Sequence, residues 1–172
     1  MIPKIQKILY TTDLSPNSAY VFRYAVNSAN KHDAKLIILY VLEELSVTTH
    51  AMLSSYLNEE QMKTLTQEKR ASIFERIEKR LKVFSEKELK DQPELAERIV
   101  CIEIAEGFPA EVILSKADEL NCDAIIMGTH GKGTIENTFL GSTSRRVLRR
   151  TRKPVFIIPL PKGETDITFH DI

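Results

Sequence analysis

Apolar residues along this chain fall into short continuous runs, separated by longer stretches where they recur every three or four positions. Residues 5–10, with Ile8 and Leu9 at the centre, read as a buried strand. Residues 36–42 (LIILYVL) are almost unbroken apolar sequence with β-branched members. A strand covered on both faces has this composition, and such strands belong to parallel sheets. Residues 99–104 alternate apolar and polar positions, residues 123–127 (DAIIM) form another short run, and residues 154–160 (PVFIIPL) the last. Pro159 has no N–H to give a ladder, which predicts that the last strand lies at a sheet edge.

Between these runs the period changes from two to about 3.6. Ala19, Phe22, Ala25 and Ala29 recur at helical spacing after Ser15-Pro16, which reads as an N-cap followed by a first-turn proline. Small residues on that stripe let the helix lie close to a sheet. Residues 66–89 carry the stripe Ile73, Ile77, Leu81 and Phe84 among charges, and Pro93 ends that region. Gly107-Phe108-Pro109 turns into a helix bearing Ile113, Ala117 and Leu120, and Gly141-Ser142-Thr143 opens a short helix through Arg150. Residues 43–61 have no clear period and read as a loop insertion. The order β-α-β-α-β-α-β-α-β predicts an α/β, doubly wound, five-stranded parallel sheet with helices on both faces and right-handed crossovers.

Composition changes this picture little. The 172 residues favour one domain, and 42% hydrophobic with 28% charged residues is ordinary for a globular chain. Lys+Arg and Asp+Glu are 24 each, so there is no net charge to draw the chain to nucleic acid or membrane. No apolar run approaches the ~20 residues of a membrane helix. The start, Met1-Ile2-Pro3-Lys4, lacks an apolar signal core, so a cytoplasmic protein is expected. Cys101 and Cys122 form no CxxC pair and read as small reduced core residues.

Candidate chemistry concentrates after the fourth strand, in Met127-Gly128-Thr129-His130-Gly131-Lys132-Gly133, and again at Gly141-Ser142. The spacing is G-x2-G-x9-G. Glycines admit a phosphate close to the backbone, successive N–H groups form an anion nest, and residues 141–143 put free amides at a helix start. The bland alternative is a glycine-rich surface turn with no ligand. A Walker A loop fails because Thr134 stands where Lys is required, and the dinucleotide fingerprint fails at Glu136. Ligands in doubly wound sheets bind beyond the carboxyl ends of the strands. If strands one and four are neighbours, Thr11-Thr12-Asp13 borders the same crevice, with Val41 one strand further along.

Each candidate also has a plainer reading. Asp13 suits a turn as well as a ribose contact. Ser142 serves as an N-cap or at a phosphate, and the two roles are compatible. His130 has no acidic orienter evident nearby, so it reads as a loop residue at the ligand and not as a base. Lys132 either meets phosphate or is solvated. Arg145, Arg146, Arg149, Arg150, Arg152 and Lys153 form the one basic cluster; without interleaved aromatics it reads as a solvated helix end, and nucleic acid binding is not expected.

Across residues 3–161 the chain resembles the universal stress protein family in its nucleotide-binding branch. The resemblance rests on Thr12-Asp13-Leu14-Ser15, Leu39-Tyr40-Val41, Gly107-x-Pro109-Ala110, Gly128-Thr129-His130-Gly131 with Gly141-Ser142 nine residues on, and Lys153-Pro154-Val155. It implies a Rossmann-like sheet in the order 3-2-1-4-5, a single such domain over residues 1–162 with a polar tail over 163–172, and a homodimer joined through the last strand, 154–160. It implies that Thr11, Asp13, Val41 and Met127 border adenosine, with Asp13 near the ribose and the backbone of Val41 facing adenine. Gly128, Gly131, Gly141, Ser142 and Thr143 would hold the phosphates of ATP (or ADP or AMP), with Mg on the phosphates and no protein metal ligand. Thr12 and His130 complete the candidate set. The expected function is a regulatory stress-response binding module. A slow ATPase or nucleotidyl transferase and a nucleotide-free interaction protein remain as alternatives.

Overall fold

The computed structural model describes residues 2–15, 17–43, 59–129 and 140–159. Five parallel strands form one sheet in the order β3-β2-β1-β4-β5: β1 Lys7–Thr12, β2 Lys35–Leu42, β3 Ile99–Glu106, β4 Ala124–Gly128 and β5 Val155–Ile158. The helices are α1 Ser18–His32, α2 Glu59–Glu88, α3 Pro109–Glu119 and α4 Ser142–Arg150, with a 3-10 turn at Pro93–Arg98. The predicted strand order and alternation are therefore those observed. β1 is central, in register with β2 from Lys7↔Lys35 to Thr12↔Tyr40 and with β4 from Ile8↔Ala124 to Tyr10↔Ile126.

Alternation along the strands divides the core into two layers. Ile8, Tyr10, Leu36 and Ile38 face α1 and α2, where Ala19, Phe22, Ala25, Ala29, Leu81 and Phe84 are buried. Leu9, Ile37, Leu39, Ile125 and Met127 face Ile113, Ala117 and Val147 of α3 and α4. The alanine stripe of α1 lets it lie against the sheet, and aromatic rings fill the rest: Phe22 lies 5.7 Å from Tyr10 and 4.9 Å from Phe84, centroid to centroid. β5 is an edge strand of four residues paired only with β4, and Pro159 follows it directly.

The structure departs from the sequence reading at several boundaries. α1 starts at Ser18 with Asn17 as its cap residue and no side-chain cap, so Ser15 is not the N-cap. The cause is Asp13, whose Oδ1 accepts the Ser15 amide at 3.0 Å and the Ser18 hydroxyl at 3.3 Å and so organises the turn itself. Pro16 lies outside the described residues. α2 begins at Glu59, seven residues ahead of the predicted start, because the polar stretch before Ile73 is made of good helix formers. Within the predicted insertion, residues 44–58 lie outside the described residues, and 59–61 are helical. Cys101 and Cys122 are both free; Cys122 is buried, but Cys101, on edge strand β3, is only half-buried. No helix among the described residues is long and apolar enough to cross a membrane.

Candidate functional site

The carboxyl ends of β1, β2 and β4 open into a cavity of about 630 Å³, a size usual for small-molecule sites. Thr11, Thr12 and Asp13 reach it from β1, and residues 39–43 from the end of β2. Met127 and Gly128 come from β4, Pro109 and Ile113 from α3, and residues 141–144 from the start of α4. Thus Thr11, Thr12, Asp13, Val41, Met127, Gly128, Gly141, Ser142 and Thr143 are brought together around one space. His130, Gly131 and Lys132 lie outside the described residues.

The β1 side is built by a tight turn. Leu14 takes a left-handed backbone, φ 55°, which turns the chain away from the strand. The Thr12 hydroxyl oxygen accepts the Leu14 amide at 3.1 Å. Asp13 Oδ1 is occupied as described above, whereas Asp13 Oδ2 is buried with no hydrogen-bond partner among the described residues. Behind the turn, the Tyr10 hydroxyl donates to the Ser18 carbonyl at 2.8 Å and pins the start of α1 to the sheet. Complete burial pushes that hydroxyl's pKa far above its ordinary value, with the nearby Asp13 charge adding to the rise.

The β4 side ends at a helix start. Gly141, not Ser142, is the cap residue of α4; Ser142 is the first helical residue. The Gly141 backbone, φ −64° and ψ 164°, is one any residue adopts. What its missing side chain does is leave the helix amides without a competing acceptor, where Ser, Asp or Asn would take one. The first intrahelical bond is donated by Arg145 to the Gly141 carbonyl at 3.0 Å. The amides of Ser142, Thr143 and Ser144 precede it, and among the described residues they have no backbone acceptor. One part of the sequence reading is corrected here. The Gly141 amide donates to the Thr129 carbonyl at 2.7 Å and is not open to a ligand.

Sequence reasoning missed the β2 end beyond Val41, the α3 wall and Ser144. The α3 wall had a visible signal in Gly107-Phe108-Pro109. Gly107 has φ 142°, a Cβ there would come within 2.9 Å of Val112 Cγ2, and its amide donates to Leu42 O at 3.0 Å. Only glycine makes that turn without strain, and the turn brings Pro109 onto the cavity. The basic cluster is partly consumed in joining elements. Arg150 pairs with Glu111, Arg145 donates to Leu140 O at 3.2 Å, and Lys153 bonds Cys122 O at 2.8 Å. Among the described residues, no group of three or more His, Cys, Asp and Glu is placed to hold a metal ion.

Residues 4–159 match the model of the Universal stress protein family. The chain belongs to that family. It is 28% identical over 159 residues to universal stress protein MJ0531 of Methanocaldococcus jannaschii, covering 92% of this chain and 85% of that protein. To MJ0577 of the same organism it is 26% identical over 153 residues, 89% and 94% of the two chains. The solved structure of MJ0577 superposes with a TM-score of 0.62 at 23% identity, over 94% of this chain and 100% of that one. A universal stress protein in complex with cAMP matches with a TM-score of 0.52 at 22% identity, over 91% and 98% of the chains. An Arabidopsis thaliana family member with AMP bound matches at 0.52 and 16%, over 91% and 93%. At these identities the structural likenesses show the fold.

Proposed function

We propose that this universal stress protein is a regulatory binding module for an adenine nucleotide, ATP or else ADP or AMP, and not an enzyme. One observation carries the reading. Among the described residues, Asp13 lines the cavity with one carboxylate oxygen buried and unbonded, and the same cavity receives an α4 start whose cap residue, Gly141, offers the first amides no side-chain acceptor. The first is an acceptor in want of hydroxyl donors; the second is a set of donors, with the helix dipole, in want of an anion. A ribose phosphate supplies both. The family members that carry cAMP and AMP lend the adenine base. In this reading Thr11, Thr12, Asp13, Val41 and Met127 surround the nucleoside. Gly128, Gly131, Ser142 and Thr143 meet the phosphates, with His130 beside them, and Gly141 keeps the helix start open. Mg, when present, is held by the phosphate oxygens.

The same proposal takes residues 1–162 as one domain with a 163–172 tail, in a cytoplasmic homodimer joined through residues 154–160. Phe156, 37% exposed on the edge strand β5, supports that assembly. Phe156→Glu is then expected to give monomers in analytical ultracentrifugation. The nucleotide itself is tested by thermal unfolding with and without Mg-ATP. Ligand at 100 times Kd adds about 2.7 kcal/mol, and Gly131→Val is expected to abolish that gain. No shift at millimolar nucleotide refutes the reading.

A further inference from the structure

Ser144 is the third residue of α4, the position from which a side chain usually turns back to accept the amide of the cap residue. Both halves of that arrangement are reversed here. The cap amide, from Gly141, goes to the Thr129 carbonyl at 2.7 Å. The Ser144 side chain is a donor, with Oγ 3.0 Å from the Gly128 carbonyl and 3.3 Å from that of Thr129. Thr129 is itself fixed, its amide donating to Ile158 of β5 at 3.2 Å. Ser144 and Thr129 are both buried. Two struts, the Gly141 amide and the Ser144 hydroxyl, therefore tie the start of α4 to the end of β4, and neither uses up the amides of Ser142, Thr143 and Ser144.

We infer that Ser144 is a positioning residue for anion recognition: its hydroxyl, spent on the strand-end carbonyls, holds the first amides of α4 in register with the cavity. This rests on the nucleotide reading above and adds a residue to it. The hydroxyl is already bonded within the protein and contributes through the amides it places. A recognition site built from fixed donors loses much of its strength when they drift by an ångström. Apart from Met127, the nucleoside side of the cavity comes from the ends of β1 and β2, which Ser144 does not hold. Its loss is therefore felt by phosphate-bearing ligands and not by the bare nucleoside.

The experiment is calorimetric titration of the full chain with Mg-ATP and with adenosine. Ser144→Ala is expected to raise the ATP Kd about three- to tenfold and leave adenosine within about twofold. Ser144→Cys keeps the volume with a weaker donor and shifts the ratio in the same direction; it is read alone if the alanine variant does not fold. Ser85→Ala is the control, removing a comparable buried hydroxyl bond, to Lys82 O at 2.9 Å in α2, with the ratio unchanged. Equal losses for both ligands, or an unmoved ATP-to-adenosine ratio in Ser144→Ala and Ser144→Cys, overturn the inference. A wild type that binds neither ligand rejects the nucleotide reading itself.

Discussion

The two ends of the sheet each carry an aspartate beside β1, and the two aspartates are used in opposite ways. At the amino-terminal end, Asp123 Oδ2 accepts the amides of both Gln6 and Lys7, at 2.8 and 2.9 Å. Around it the Lys35 amide bonds Gln6 O, and Lys7 and Lys153 cap the carbonyls of Leu120 and Cys122, all at 2.8 Å. At the carboxyl-terminal end, among the described residues, Asp13 satisfies one oxygen and leaves the other buried without a partner, while α4 begins with amides that no cap side chain takes. The first end spends its polar groups on the protein. The second withholds them, and buried groups without partners cost stability that only a ligand returns. That difference separates the end that builds the fold from the end that is available for recognition.

Substitutions at the two ends are expected to separate along the same line. The largest effect is at Gly107, where a side chain meets both a positive φ and Val112. Gly107→Val is expected to cost about 3 kcal/mol in urea unfolding, and adding Val112→Ala recovers only the steric part. Next is Asp123→Ala, which strips two strand amides of a charged acceptor. A loss of about 2 kcal/mol is expected, with nucleotide affinity unchanged. Asp13→Asn is its mirror image. It is expected to weaken nucleotide binding about tenfold, or about 1.4 kcal/mol, with unfolding free energy within about 1 kcal/mol of wild type because the amide oxygen still accepts from Ser15 and Ser18. If Asp13→Asn costs stability and spares affinity, the contrast between the ends is lost.

The smallest effect at neutral pH is Tyr10→Phe, about 1 kcal/mol for its bond to Ser18 O. Its pH dependence is more telling. In the fold the Tyr10 hydroxyl holds its proton far above the ordinary value of 10.0, so at high pH the unfolded chain ionises first. The stability it lends is intact below about pH 10 and falls above it, by up to about 1.4 kcal/mol per pH unit. Urea titrations between pH 8 and 11 are expected to show that limb flattened in Tyr10→Phe.

Much of this architecture was legible in the chain. The run at 36–42 reads as a strand covered on both faces, and the alanine stripe from Ala19 to Ala29 as a helix lying close to a sheet. Strand order was not readable from periodicity and came with the family resemblance. The cavity was legible where residues sit at strand ends, as Thr11, Val41 and Met127 do. It was illegible where a role depends on pairing across the fold. Gly141 looked like a phosphate donor because nothing local shows that Thr129, twelve residues earlier, takes its amide. Ser15 looked like a cap because pattern alone does not reveal that Asp13 captures its N–H. Ser144 was overlooked because an inward serine in a short helix carries no sequence mark.

Leu14 links the recognition end to the hydrophobic interior. Its φ of 55° is one that a non-glycine residue holds at a cost of about 1–2 kcal/mol. Its side chain is buried in the same layer as Tyr10 and Phe22. The bend that presents Asp13 is thus kept by the Thr12 and Asp13 side chains and by the layer beneath it, against its own backbone preference. Loosening of that layer on warming releases the bend while the strand ladders still hold, so the binding end is expected to melt ahead of the sheet. Amide exchange at Ser15 and Ser18 should accelerate at temperatures where Leu9 and Ile37 still resist.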